Sequence, residues 1–142
     1  MRLTIESAKE MQAALRDISD DVYQAADAAV METAANLEAG VKLRMQQGPH
    51  TGKLYRRRSV VHRASAPGEA PAPDTGALLG SIYHEREGRL TAVAGSRMAY
   101  AAYLEFGTTR MPDRRPAWVP EVEEERPRFL KALEAAIAGA VR

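Results

Sequence analysis

The stretch SAKEMQAALRDISDDVYQAADAAVMETAANLEAGVKLRMQQ, residues 7–47, decides the fold. Its positions Met11, Leu15, Ile18, Val22, Ala25, Ala29, Thr33, Leu37 and Val41 step by four or three residues. That spacing keeps side chains on one face of an α-helix. Ser7 with Glu10 three residues later forms a capping-box signature, in which each side chain satisfies the other's orphan backbone donor. Gly48-Pro49 supplies the stop, because Gly tolerates a left-handed cap and Pro cannot continue the hydrogen-bond ladder. A helix of about 40 residues is on the order of 60 Å long, more than a small domain covers by itself. Its centre is rich in alanine, at Ala25, Ala26, Ala28, Ala29, Ala34 and Ala35, so another helix can approach closely. The length favours packing of this stripe between subunits, with Leu15 and Val22 as contact positions, over packing against a helix of the same chain.

Upstream, Leu3 and Ile5 alternate and predict a short strand. Downstream, residues 48–76 show no sustained period, and Pro67, Pro71 and Pro73 deny backbone donors to any ladder. The expectation is an extended loop, mobile in the free subunit and ordered by neighbours. Two strands follow, Gly80–Arg86 and Arg89–Ser96, joined at Glu87-Gly88, where Gly can take a positive φ. Tyr100–Phe106 reads as a short helix closed by Gly107, also expected at positive φ. A last helix spans roughly Pro120 to Val141, with Pro127 expected to kink or split it. The fold class is therefore α+β in a single domain over residues 1–142. A long N-terminal helix (7–47) and a C-terminal helix pack on a small antiparallel sheet (within 77–142), with the long extended loop (48–76) between them.

Composition bounds the function. Hydrophobic residues at 45% and charged residues at 27% place the chain among ordinary globular proteins. With no cysteine there are no disulfides and no thiolate metal ligands. The N-terminus lacks the apolar core of a signal peptide, and no apolar run is long enough for a membrane span. Net charge is only +1, yet residues 48–76 hold five basic and two acidic side chains. Lys53, Arg56, Arg57, Arg58 and Arg63 lie in a window free of acids. They suit either a solvated loop or contact with nucleic acid or an acidic neighbour; Tyr55, with Leu54, Val60 and Val61, adds apolar anchors between the charges.

No catalytic constellation emerges. His50, His62 and His84 have no ligand spacing, and Gly76 to Gly80 lacks the Lys-Ser/Thr element of a phosphate loop. Neither a cofactor nor a metal is called for, and the chain reads as a non-enzyme. Tyr100, Tyr103, Phe106 and Trp118, half of the eight aromatic residues, crowd around Gly107 and read as core. Glu105 is expected to be held by a basic side chain such as Arg115. Glu121, Glu123, Glu124 and Glu125 stand at the start of the last helix, where the helix dipole favours negative charge.

Three blocks carry a resemblance: the Pro-rich run 64–73 ending at Asp74-Thr75-Gly76, then Tyr100-Ala-Ala-Tyr-Leu-Glu105-Phe106-Gly107-Thr108, then Arg115-Pro116-Ala-Trp118. In this order and spacing they resemble the tail-component or neck (tail-completion) family of long-tailed bacteriophages, which joins the filled head to the tail. The chain departs from the family's usual aromatic after the Arg-Pro pair by placing Ala117 before Trp118. The resemblance implies a virion protein at the head–tail junction, made in the bacterial host cytoplasm. It implies a homo-hexameric ring that continues the DNA channel and stacks on head-completion and tail-terminator or tail-tube proteins. DNA would pass through without sequence specificity, and no membrane is involved. Glu121, Glu123, Glu124 and Glu125 would then be candidates for an acidic lumen that repels phosphate. A tail-terminator ring of the same particle is the neighbouring alternative. A stand-alone nucleic-acid-binding protein using the basic loop is another, with salt-sensitive binding to free DNA as its signature.

Overall fold

The computed structural model describes residues 1–6, 9 and 20–141. Ser7, Glu10, Met11, Leu15 and Ile18, to which the pattern assigns the helix cap and the first part of the stripe, lie outside the described residues. The elements run β1 (Arg2–Glu6), α1 (Asp20–Gln47), β2 (Leu54–Arg57), β3 (Val60–Arg63), α2 (Ala77–Gly80), β4 (Ile82–Gly88), β5 (Thr91–Ser96), α3 (Ala101–Phe106) and α4 (Trp118–Ala140). A three-stranded antiparallel sheet has the order β1-β5-β4, and β2-β3 forms a separate two-stranded sheet. The α+β architecture stands as the sequence reads, with helices from both halves of the chain packed around a small antiparallel sheet.

α1 is the spine, packed against α4 as well as against β5, β4 and β1. This corrects the expectation for Val22, which is fully buried inside the subunit and shares a cluster with Ala26, Ala29, Leu90 and Leu133. The buried face is also broader than one stripe, with Val30, Ala34, Leu37, Val41 and Met45 packed against Ile5, Ile82, Ala92, Ala94 and Trp118. Two layers, sheet and α4, cover the helix from two directions, so it buries two adjacent columns of side chains. Thus Ala26 goes inside where the single-stripe reading puts Ala25.

The β4–β5 turn also differs from expectation. The left-handed residue is Leu90 (φ 59°), and Gly88 remains in β4. Positive φ is strained for a side chain such as leucine, but Leu90 is anchored from both ends. Its N–H donates to Asp27 Oδ1 on α1 at 2.9 Å, and its side chain is buried against Val22 and Leu133. α4 runs unbroken from Trp118 to Ala140 with Pro127 inside it, so the expected split does not occur. Pro127 and Glu123, whose carbonyl the proline leaves without a helical donor, are both exposed.

Residues 48–76 are not a structureless loop. The proline-free decapeptide Leu54–Arg63 pairs with itself, Leu54 opposite Arg63, Tyr55 opposite His62, Arg56 opposite Val61 and Arg57 opposite Val60, around Arg58-Ser59 with Arg58 left-handed (φ 56°). Backbone bonds from Gly52 N to Ala64 O (2.8 Å) and from Ala64 N to Lys53 O (2.9 Å) close its base. The Glu69 carboxylate ties the flanks together by accepting from Thr51 N (2.9 Å), Thr51 Oγ1 (2.6 Å) and Ala66 N (2.8 Å). These bonds hold the Glu69 pKa below its ordinary value.

Candidate functional site

The block around Gly107 is built on one carboxylate. Glu105 lies in α3 and is 3% exposed. Its Oε2 accepts from Ala117 N (2.8 Å) and Trp118 N (3.0 Å), and its Oε1 accepts from Val119 N (2.7 Å). A helix start has four backbone N–H groups without helical partners. In α4 three of them bond to Glu105, and the fourth position is Pro120, which has no N–H. Ala117 offers no side-chain cap; the cap comes from another helix. Glu105 therefore does not pair with Arg115, whose backbone N donates to Leu104 O (2.6 Å) and whose Nε donates to Ser65 O (3.3 Å). Gly107 has φ 75° as expected and redirects the chain, after which Thr108 and Met111 close a turn through Thr108 N to Met111 O (2.8 Å) and Met111 N to Thr108 Oγ1 (3.0 Å). Pro116 is half-buried beside this knot. Gly76 (φ 82°) turns the chain into α2, and the Thr75 hydroxyl accepts from Ala77 N at 3.3 Å.

Of the four aromatic residues near Gly107 only Trp118 is core; Tyr100, Tyr103 and Phe106 are about half exposed. They follow one another at i, i+3, i+6 on one face of α3, while Ala101 and Glu105 take the inner face. The hairpin is more open still. Leu54, Tyr55, Val60 and Val61 are 58%, 55%, 61% and 57% exposed. Lys53, Arg56, Arg57, Arg58 and Arg63 are exposed around them, and of these five only Arg57 holds an ion pair among the described residues, with Asp74. The structure thus sets a mixed basic and apolar arm outside the core, close to the Asp74-Thr75-Gly76 turn.

The acids of α4 separate into two kinds. Glu121 and Glu125 are buried against α1, which removes both from the set of channel-lining candidates. Arg44 Nε donates to Glu121 Oε2 (2.7 Å), Arg44 Nη2 meets Glu124 Oε1 (2.5 Å), and Asn36 Nδ2 donates to Glu125 Oε1 (2.9 Å). The Glu121 carboxylate lies directly over Gly40, where any Cβ would stand 2.0 Å from Oε1. Gly40 is therefore a seat for a side chain of α4. Of the four acids at the start of α4, only Glu123 and Glu124 are exposed.

Two further carboxylates bind α1 to the sheet: Asp27 pairs with Arg86, and Glu38 with His84 and Lys42. Burial alone would raise both pKa values, but the hydrogen bonds and charges of these partners outweigh it and hold them below the ordinary 3.8 and 4.5. A depressed folded pKa gives stability that is complete above the unfolded value and is lost as pH falls through the folded one. The unfolding midpoint should therefore drop on acidification below about pH 4. An Asp27→Asn, Glu38→Gln double variant should show a flatter midpoint-against-pH curve over that window; an unchanged slope would mean the pairs carry no linkage.

Among the described residues no group of three or more His, Asp or Glu is placed to hold a metal, and no helix is long and apolar enough to cross a membrane. A family model described as "Bacteriophage HK97-gp10, putative tail-component" matches residues 8–107, which takes in α1, the hairpin, β4, β5, α3 and Gly107. No curated protein and no solved structure matches the chain.

Proposed function

We propose a specific place in the particle for this chain, which belongs to the HK97-gp10-like family of bacteriophage tail components and is a structural protein of the virion. The place is the head–tail connection, where copies form a ring, expected to be a hexamer, that continues the DNA channel. Head-completion proteins would adjoin it on one side and tail-terminator or tail-tube proteins on the other. The observation that carries this reading is the exposure of large apolar side chains on two surface elements, the hairpin and α3, that the core does not use. Exposed apolar patches of this kind mark protein contact. Glu123 and Glu124 remain as candidates for an acidic channel wall.

Negative-stain imaging of the purified protein with its solution mass tests the reading. Rings with a mass several times 15.5 kDa are expected; a protein that stays monomeric at every concentration would overturn it. Trypsin supplies a second check, because Lys53, Arg56, Arg57, Arg58 and Arg63 are its sites. Cleavage in the hairpin should be fast in the isolated subunit and absent in the assembled particle. Equal rates in both would mean that neighbours leave the hairpin uncovered.

A further inference from the structure

Among the described residues both sheets leave strand edges open, since β1 and β4 are the outer strands of one and β2 and β3 have only each other. A two-stranded hairpin without a core beneath it is marginal in water, and an open edge is a template for another chain. These edges carry opposite charge. The hairpin presents Arg56 and Arg58 without ion pairs among the described residues, whereas β4 exposes Glu85 and Glu87. His84 and Arg86 are engaged by Glu38 and Asp27 of α1. Strand alternation therefore puts Glu85 and Glu87 on the opposite face. Glu87 is shared with Arg2, while Glu85 holds no ion pair among the described residues.

We infer that the β2–β3 hairpin of one copy docks along the β4 edge of a second copy and extends its three-stranded sheet across the subunit boundary. The inference rests on the ring reading above and names the surfaces that would join. Pairing of β4 with another β4 would set like charges together, so the acids reject that contact and admit a basic strand. Backbone hydrogen bonds would supply affinity and side chains the register. The shift in β4 between Arg86 and Gly88 confines regular pairing to Ile82–Arg86. The register puts Leu54 and Val61 on one face of the hairpin and Tyr55 and Val60 on the other, so the extended sheet would set one apolar pair beside the neighbour's side chains on each face. Phosphate contact alone would leave both pairs in water, which favours a protein over nucleic acid as the occupant. Because donor and acceptor surfaces differ, the contact is head-to-tail and can close a ring.

Charge reversal tests this. The Arg56→Glu, Arg58→Glu protein and the Glu85→Lys protein should each elute at monomer mass, at concentrations where the unmodified chain assembles. An equimolar mixture should assemble again, because each reversed surface then meets its complement on the other copy. Should the unmodified protein assemble and either variant assemble equally well alone, the docking assignment fails while the ring reading stands; an unmodified protein that is always monomeric removes both. The chain has no cysteine, so an Arg56→Cys, Glu85→Cys protein gives a background-free oxidation test that does not depend on charge reversal. A ladder of cross-linked multimers is expected, and its absence from assembled material overturns the proposal. Duplex DNA bound by the unmodified protein and lost in the hairpin variant, with self-association unchanged, would assign the arm to nucleic acid instead.

Discussion

Replacing Glu105 by Ala should lower the unfolding free energy by about 3–5 kcal/mol, since a buried donor left without a partner costs about 1–3 kcal/mol and this change strands several at once. The donors are the first N–H groups of α4, at Ala117, Trp118 and Val119, and they also lose a negative charge placed where the helix dipole favours it. Glu105→Gln keeps one acceptor oxygen but turns an NH2 group toward a donor, so its loss should be intermediate. Denaturant titration reads both: the midpoint moves, and an unchanged slope would show that the folded and unfolded states expose the same surface as before. If the Ala variant came within about 1 kcal/mol of the parent, water would be serving as an equally good cap, and the packing around Trp118 would have to hold the helix start on its own.

Gly107→Val is the second large effect, expected at about 3 kcal/mol, because strained backbone regions cost on the order of 1–3 kcal/mol before any clash is counted. With φ 75° and ψ 174°, Gly107 occupies a region essentially reserved for glycine. A Cβ there would also stand 2.9 Å from Pro112 O and 3.2 Å from Met111 O. Gly76→Val is the control: φ is 82° and ψ −1°, and nothing lies within 4 Å of its Cβ. That variant should lose only about 1–2 kcal/mol, the ordinary penalty of the left-handed region. Equal losses at the two sites would show that the Pro112 carbonyl yields freely and that only the dihedral matters.

The long helix, the strand at Leu3 and Ile5, the β4–β5 hairpin and the glycine turn at Gly107 were legible because each rests on local periodicity or on a residue with special backbone freedom. The β2–β3 hairpin is not, since the prolines at 67, 71 and 73 give residues 48–76 the look of a loop, although none lies within Leu54–Arg63. The turn at Leu90 escaped for the opposite reason. Locally Gly88 is the better candidate, and only the bond to Asp27 on a distant helix and burial beside Val22 reverse that preference. Glu105 is harder still, because its partners are backbone N–H groups, which leave no mark in a sequence. Any basic residue nearby, Arg115 first among them, looks like a better mate. The aromatic residues of α3 misled because aromatic side chains usually go inside; their i, i+3, i+6 spacing says only that they share a face, not which way it points.

The exposure of the hairpin bears on how such a protein can change over generations. No large side chain between Leu54 and Val61 enters the core, while the arm's base is fixed by backbone bonds at Gly52, Lys53 and Ala64 in which no side chain of the tip takes part. Mutations at the tip are thus nearly invisible to folding and fall almost wholly on recognition. A lineage can rewrite the arm's specificity while inheriting the scaffold intact, so that fit between components drifts faster than the stability of the parts.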